Sequence, residues 1–171
     1  MARAKRILIP TDFTLHSLQF VITVLQRQEA GPLEVVLAYG MRSASLMTEL
    51  FILNKEDYLH KLQSEDFINA CQMIENGFGG KVSGLYADLL TSDHPNYIRN
   101  YLKGNHITEV MLPIECDYTY TQRYAMDLYR PFKEHAPAVS IIDDVHSRRS
   151  ADRVTEEIAD LFFKKGFDVT Y

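Results

Sequence analysis

The sequence predicts an α/β domain: a doubly wound, five-stranded parallel sheet with helices on both faces. Three observations carry that prediction. Short apolar runs recur along the chain and are nearly continuous, the pattern of parallel strands covered on both sides. Stretches with apolar residues at three- and four-residue spacing lie between them. Glycine and proline mark the joints, as at Gly31-Pro32 and at Gly77, Gly79 and Gly80.

Taken in order, "RILIP" (6–10) is the first strand, and Thr14 caps a helix over 15–28 with Leu18, Val21, Ile22 and Leu25 on its buried stripe. "LEVVLAYG" (33–40) is the second strand. The stretch 44–76 holds two helical pieces, with Leu59, Leu62, Phe67, Ile68, Cys71 and Ile74 in a broken stripe. "KVSGLYA" (81–87) is the third strand. A helix follows in "TSDHPNYIRNYLKGN", with Ser92 or Asp93 as cap, Pro95 in its first turn and Gly104 at its end. "EVMLPI" (109–114) and "AVSIID" (138–143) complete the sheet. Residues 1–145 are thus expected to form the domain. Residues 146–171 are an extension, a helix with Val154, Ile158, Leu161 and Phe162 on one face and a possible edge strand at "GFDVTY". It is expected to dock on its own domain or across a dimer.

A chain of 171 residues suits one domain with a substantial core. The net charge of −5 argues against a general nucleic-acid binder, which would present a basic surface. Two cysteines, Cys71 and Cys116, are too few for a disulfide framework, and the six histidines show no metal-ligand spacing. Each cysteine is read as a reduced packing residue. The apolar run after the basic "MARAKR" is too short for a signal peptide, and none approaches the roughly 20 residues that span a bilayer. A cytoplasmic protein without membrane contact is expected.

Ligands on doubly wound sheets sit beyond the carboxyl ends of the strands, where strand order reverses. With the expected strand order of 3-2-1-4-5, that rule gathers Thr11 and Asp12, Tyr39 and Gly40, and the run Glu115 to Tyr120 near one another. Asp12 can shape the strand-to-helix turn by itself, or it can face a ligand. Tyr118, Tyr120, Tyr124 and Tyr129 can pack on the sheet, or form an aromatic wall for a flat ligand or a partner.

"ILIPTDFT" followed by Ser17, "VVLAYG", "YIRNYLKGNHITEVMLP" and the closing "HAPAVSIID" together resemble the universal stress protein family over residues 5 to 143. The resemblance implies the fold already read from periodicity, of the adenine nucleotide alpha hydrolase-like class, commonly assembled as a homodimer. In nucleotide-binding members, the aspartate after the first strand and an apolar residue ending the second contact adenosine. Carried over, these are Asp12 and Tyr39, with Thr11, Phe13 and Gly40 beside them. The triphosphate of those members lies on a glycine-rich loop after the fourth strand, because glycines let backbone N–H groups close on phosphate oxygens.

At that place this sequence reads "PIECDYTYTQRYAMDLYRPF", with no glycine from Asn105 to Lys165. Glu115 and Asp117 set negative charge where a triphosphate would lie, which Arg123 offsets only in part. The expectation is a universal stress protein-like domain without ATP or another cofactor. It would act in stress response or signalling through protein–protein interaction, as a homodimer. The alternative is a sensor that takes a nucleoside, AMP or another small metabolite at the remaining half-site of Thr11, Asp12, Phe13, Tyr39, Gly40, Glu115 and Tyr118. No nucleophile–base pair marks an enzyme.

Overall fold

The structure, a computed structural model, describes residues 3–42, 54–115 and 118–143. The extension from 146 onward and part of the helical stretch after the second strand lie outside the described residues.

Strands β1 (Lys5–Pro10), β2 (Leu33–Met41), β3 (Val82–Leu90), β4 (Glu109–Pro113) and β6 (Val139–Ile142) pair in parallel in the order β3-β2-β1-β4-β6. This is the expected five-stranded order. A sixth strand, β5 (Ala125–Met126), was not anticipated; it runs antiparallel to the end of β2. Helices α1 (Leu15–Arg27), α2 (Lys55–Leu62) and α3 (Glu65–Gly77) precede β3, while α4 (Pro95–Gly104) and α5 (Tyr129–His135) follow it.

The strands alternate their side chains between two cores, one on each face of the sheet. Ile7, Ile9, Leu37 and Tyr39 pack with Leu18, Val21 and Leu25 of α1 and with Phe67 and Ile74 of α3. Leu8, Ala38, Val110 and Leu112 pack with Ile98 and Leu102 of α4 and Phe132 of α5. Burial on both faces explains why these strands read as continuous apolar runs. Each fully buried leucine or isoleucine contributes about 1.5–3 kcal/mol relative to exposure.

The helix ends follow local chemistry. Thr14, Asn54 and Ser64 accept the backbone N–H of Ser17, Asp57 and Phe67 at 3.3, 2.8 and 3.1 Å. The expected cap of α4 is corrected. Pro95 holds the preceding residue in the extended region, so His94 (ψ 135°) is the last non-helical residue, and its Nδ1 accepts from Asn96 N. Ser92 stands one step back and accepts from His94 N at 3.1 Å.

The far end of α4 falls at Gly104 as expected. Gly104 is its last helical residue, and the left-handed turn falls on His106 (φ 56°). Ile107 N bonds Leu102 O at 2.9 Å and His106 N bonds Lys103 O at 3.1 Å, a Schellman closure that brings Ile107 beside Leu102.

Edge strand β3 is tied to both helical layers by Asp88. Its carboxylate accepts from the Tyr101 hydroxyl of α4 and pairs with Lys55 of α2. Burial, then the bond to Asp88, push the Tyr101 hydroxyl well above its ordinary range.

Candidate functional site

The crevice at the carboxyl ends of β1 and β2 begins with a turn that its own side chains close. Thr11 N donates to Ala38 O at 2.9 Å and extends the β1–β2 pairing by one bond. Thr11 Oγ1 accepts Phe13 N and lies 3.0 Å from Ser17 Oγ, also 3.0 Å from that nitrogen. Asp12 Oδ1 accepts both the backbone N–H (2.9 Å) and the hydroxyl (2.6 Å) of Thr14. This is an Asx turn whose partner is the cap of α1, so the carboxylate orients the helix start. Thr11 and Asp12 are both buried.

Phe13 takes the left-handed conformation (φ 59°), which costs a residue with a Cβ roughly 1–2 kcal/mol. The ring explains why the turn tolerates it. Phe13 stacks on Tyr39 with centroids 4.7 Å apart and planes 3° from parallel, and meets Phe67 edge-on at 5.3 Å. Such aromatic pairs contribute about 0.5–1.5 kcal/mol each beyond burial, enough to offset the strain.

The other wall is set by a mismatch in strand length. β1 ends at Pro10, paired with Ala38, while β2 continues to Met41. Backbone groups of β2 past Ala38 would lack a partner on that side, at a cost of about 1–3 kcal/mol each if buried. The segment after β4 supplies one. β5 pairs Gly40 with Met126 and Met41 with Ala125, and Arg42 N donates to Tyr124 O at 3.0 Å. A Cβ on Gly40 would lie 2.5 Å from Met126 O and 2.8 Å from Leu128 Cγ. Gly40 is therefore a site of close backbone approach, against Met126 and Leu128.

The same segment crosses the end of β1 with three consecutive contacts. The Tyr118 hydroxyl donates to Pro10 O at 3.0 Å. Thr119 N donates to Asp12 Oδ2 at 2.7 Å. Tyr120 sets its ring edge-on to Tyr39 at 5.7 Å. Both oxygens of Asp12 are thus engaged, one by the turn and one by this strap. Tyr58 of α2 closes the base, its hydroxyl bonding Met41 Sδ at 2.9 Å.

Of the residues singled out from sequence, Thr11, Asp12, Phe13, Tyr39, Gly40 and Tyr118 meet in this crevice, whereas Glu115 is exposed. Cys116 and Asp117 lie outside the described residues. Arg123 is also exposed and lies over the ring of Tyr124, 5.4 Å from its centroid. Sequence reasoning missed the joining roles of Thr119, Met126 and Leu128, whose only cue was the glycine at the end of a strand. Burial, with Tyr58 and Asp12 nearby, pushes the Tyr39 hydroxyl up to about 12. Burial, with Glu75 beside it, likewise pushes the Cys71 thiol up to about 12, so it stays protonated at neutral pH. Among the described residues no three His, Cys, Asp or Glu side chains gather as a metal site, and no helix is long and apolar enough to cross a membrane.

No family model and no curated protein matches the sequence. Solved structures do match in shape. Hypothetical protein MJ0577 superposes with a TM-score of 0.52 at 15% identity, over 87% of this chain and 100% of that one. Hypothetical protein PH0823 gives 0.50 at 15% identity, over 82% and 97%. The universal stress protein UspA from Lactobacillus plantarum gives 0.48 at 17% identity, over 83% and 99%. The parallel α/β architecture of this chain is thus shared with MJ0577 and PH0823 over most of each chain.

Three outcomes follow from the crevice. Gly40→Ala is expected to destabilise the chain by about 1–3 kcal/mol through overpacking against Met126 and Leu128, read by urea denaturation. Asp12→Asn turns one acceptor oxygen into a donor, so it must lose either the Thr14 or the Thr119 bonds. A loss of about 1–3 kcal/mol is expected, with faster hydrogen exchange at the Thr119 amide. The third concerns Tyr39, whose hydroxyl is raised in the folded state. Its contribution to stability is fully present below the ordinary tyrosine value near 10 and is lost as pH rises towards about 12. Thermal melts from pH 9 to 12 should therefore fall less steeply for Tyr39→Phe than for the parent chain.

Proposed function

We propose that this chain is a universal stress protein-like domain that acts in stress response or signalling through protein–protein contacts, as a homodimer, and does not hold ATP. The observation that carries the reading is the strap of residues 118–126, at the place where the resemblance puts a phosphate-cradling glycine loop. Two of its backbone donors are taken by the chain itself: Thr119 N by Asp12 and Ala125 N by Gln122 O. Pro113, which ends β4 ahead of it, has no N–H to offer.

Energetics support the same reading. A nucleotide seated on Asp12 and Tyr39 in the manner of nucleotide-binding relatives would have to displace the strap. That breaks the Tyr118–Pro10, Thr119–Asp12 and Arg42–Tyr124 bonds together with the β5 ladder. At about 1 kcal/mol net for each, the cost is about 4 kcal/mol, which lowers apparent affinity about a thousandfold. Exposed Glu115 adds repulsion for a triphosphate.

Isothermal titration of the full chain with ATP, ADP and AMP is expected to give no saturable heat at micromolar concentrations. Micromolar ATP binding would overturn the reading. A rise in melting temperature with adenosine or AMP that Asp12→Ala abolishes would put a nucleoside sensor in its place.

A further inference from the structure

A groove of about 400 Å³ opens at the opposite end of the sheet, between α4 and the starts of β4 and β6. Its floor is apolar: Leu102, Ile107, Val110 and Ala138. The floor exists because of the Schellman closure, which folds Ile107 back beside Leu102. Its rim carries Arg99 and Lys103, both exposed and one helical turn apart on α4.

The charges on this rim are not balanced locally. Two cations at this spacing repel, and α4 carries no acidic residue between Pro95 and Gly104. Among the described residues, the Arg99 guanidinium bonds only the neutral Asn96 side chain, at 2.7 Å, and Lys103 has no ion-pair partner. Glu109 also lines the groove, but its carboxylate is held by Lys5 and Ser140. Those bonds, acting against partial burial, keep it below the usual carboxylate range. The result is a concentrated positive rim over an apolar floor, in a chain whose net charge is −5.

We propose that this groove docks an acidic amphipathic peptide segment of a protein partner. Carboxylates of the segment would pair with Arg99 and Lys103, and one or two of its apolar side chains would lie on Leu102, Ile107, Val110 and Ala138. The volume of about 400 Å³ leaves room for one or two apolar side chains of such a segment over the floor. Charge complementarity at the rim favours an acidic partner and disfavours a basic one. The proposal rests on the protein-interaction reading above and names the face and the chemistry.

The test uses the full chain, labelled with ¹⁵N and titrated with a capped seven-residue peptide of alternating glutamate and leucine. A peptide with lysine replacing each glutamate is the control. Saturable amide shifts are expected at Leu102, Ile107, Val110 and Ala138 with the acidic peptide and not with the basic one. The double variant Arg99→Glu, Lys103→Glu is expected to weaken binding about tenfold or more. Both side chains are exposed, so its melting temperature should stay close to the parent's. Should it fail to fold, Arg99→Gln with Lys103→Gln serves the same comparison. The proposal is overturned if the acidic peptide moves no groove amide, if both peptides bind alike, or if the charge variant binds as tightly as the parent. Such a failure alongside absent ATP binding rejects this face alone, whereas micromolar ATP binding rejects the broader reading whatever the groove does.

Discussion

The arrangement of the crevice depends on one constraint: β2 is longer than the strand beside it. β1 stops at Pro10, opposite Ala38, and β2 runs on to Met41 between β3 on one side and nothing from β1 on the other. Buried backbone donors and acceptors need partners. The chain meets that need with β5 and the residues before it, which enter the place β1 vacates and complete the ladder. Gly40 follows from this, because a side chain there would collide with the carbonyl of Met126. So does the path of the strap, whose Met126 and Leu128 then join the opposite core with Phe132.

Asp12 joins two structures that are distant in sequence. One oxygen fixes Thr14 and hence the start of α1, and the other holds the backbone of Thr119. A carboxylate in this position is stronger as an acceptor than a neutral side chain. It couples the strap to the first helix, so loosening one costs the other a bond. Phe13 adds an aromatic element to the same joint: its strained backbone conformation persists because its ring lies flat on Tyr39. The turn, the end of β2 and the strap therefore form one unit.

Much of this fold was legible in the sequence, and the reasons are local. Continuous apolar runs marked strands buried on both faces, three- and four-residue spacing marked α1 and α3, and a proline and a glycine marked the ends of α4. Thr14 reads as a cap because a side-chain oxygen ahead of an apolar stripe has one evident use. Errors at element ends were small and had physical causes. Pro95 moved the cap of α4 to His94, and a Schellman turn placed left-handed geometry on His106 instead of a glycine. The two-residue strand β5 had no periodic signature, since two residues cannot show a period.

By itself, then, the sequence determined the parallel strands and the helices between them, the placing of Thr11, Asp12, Tyr39 and Tyr118 after strand ends, and the lack of a glycine loop after β4. These follow from periodicity, crossover handedness and composition, which act over a few residues or through general rules of topology. Only the tertiary structure decided how those residues are used. Asp12 is engaged by Thr119, 107 positions away, and Gly40 by Met126, because strands of unequal length left backbone groups that something distant had to satisfy. Pairings of that kind depend on where the chain returns in space, and no local pattern encodes the return.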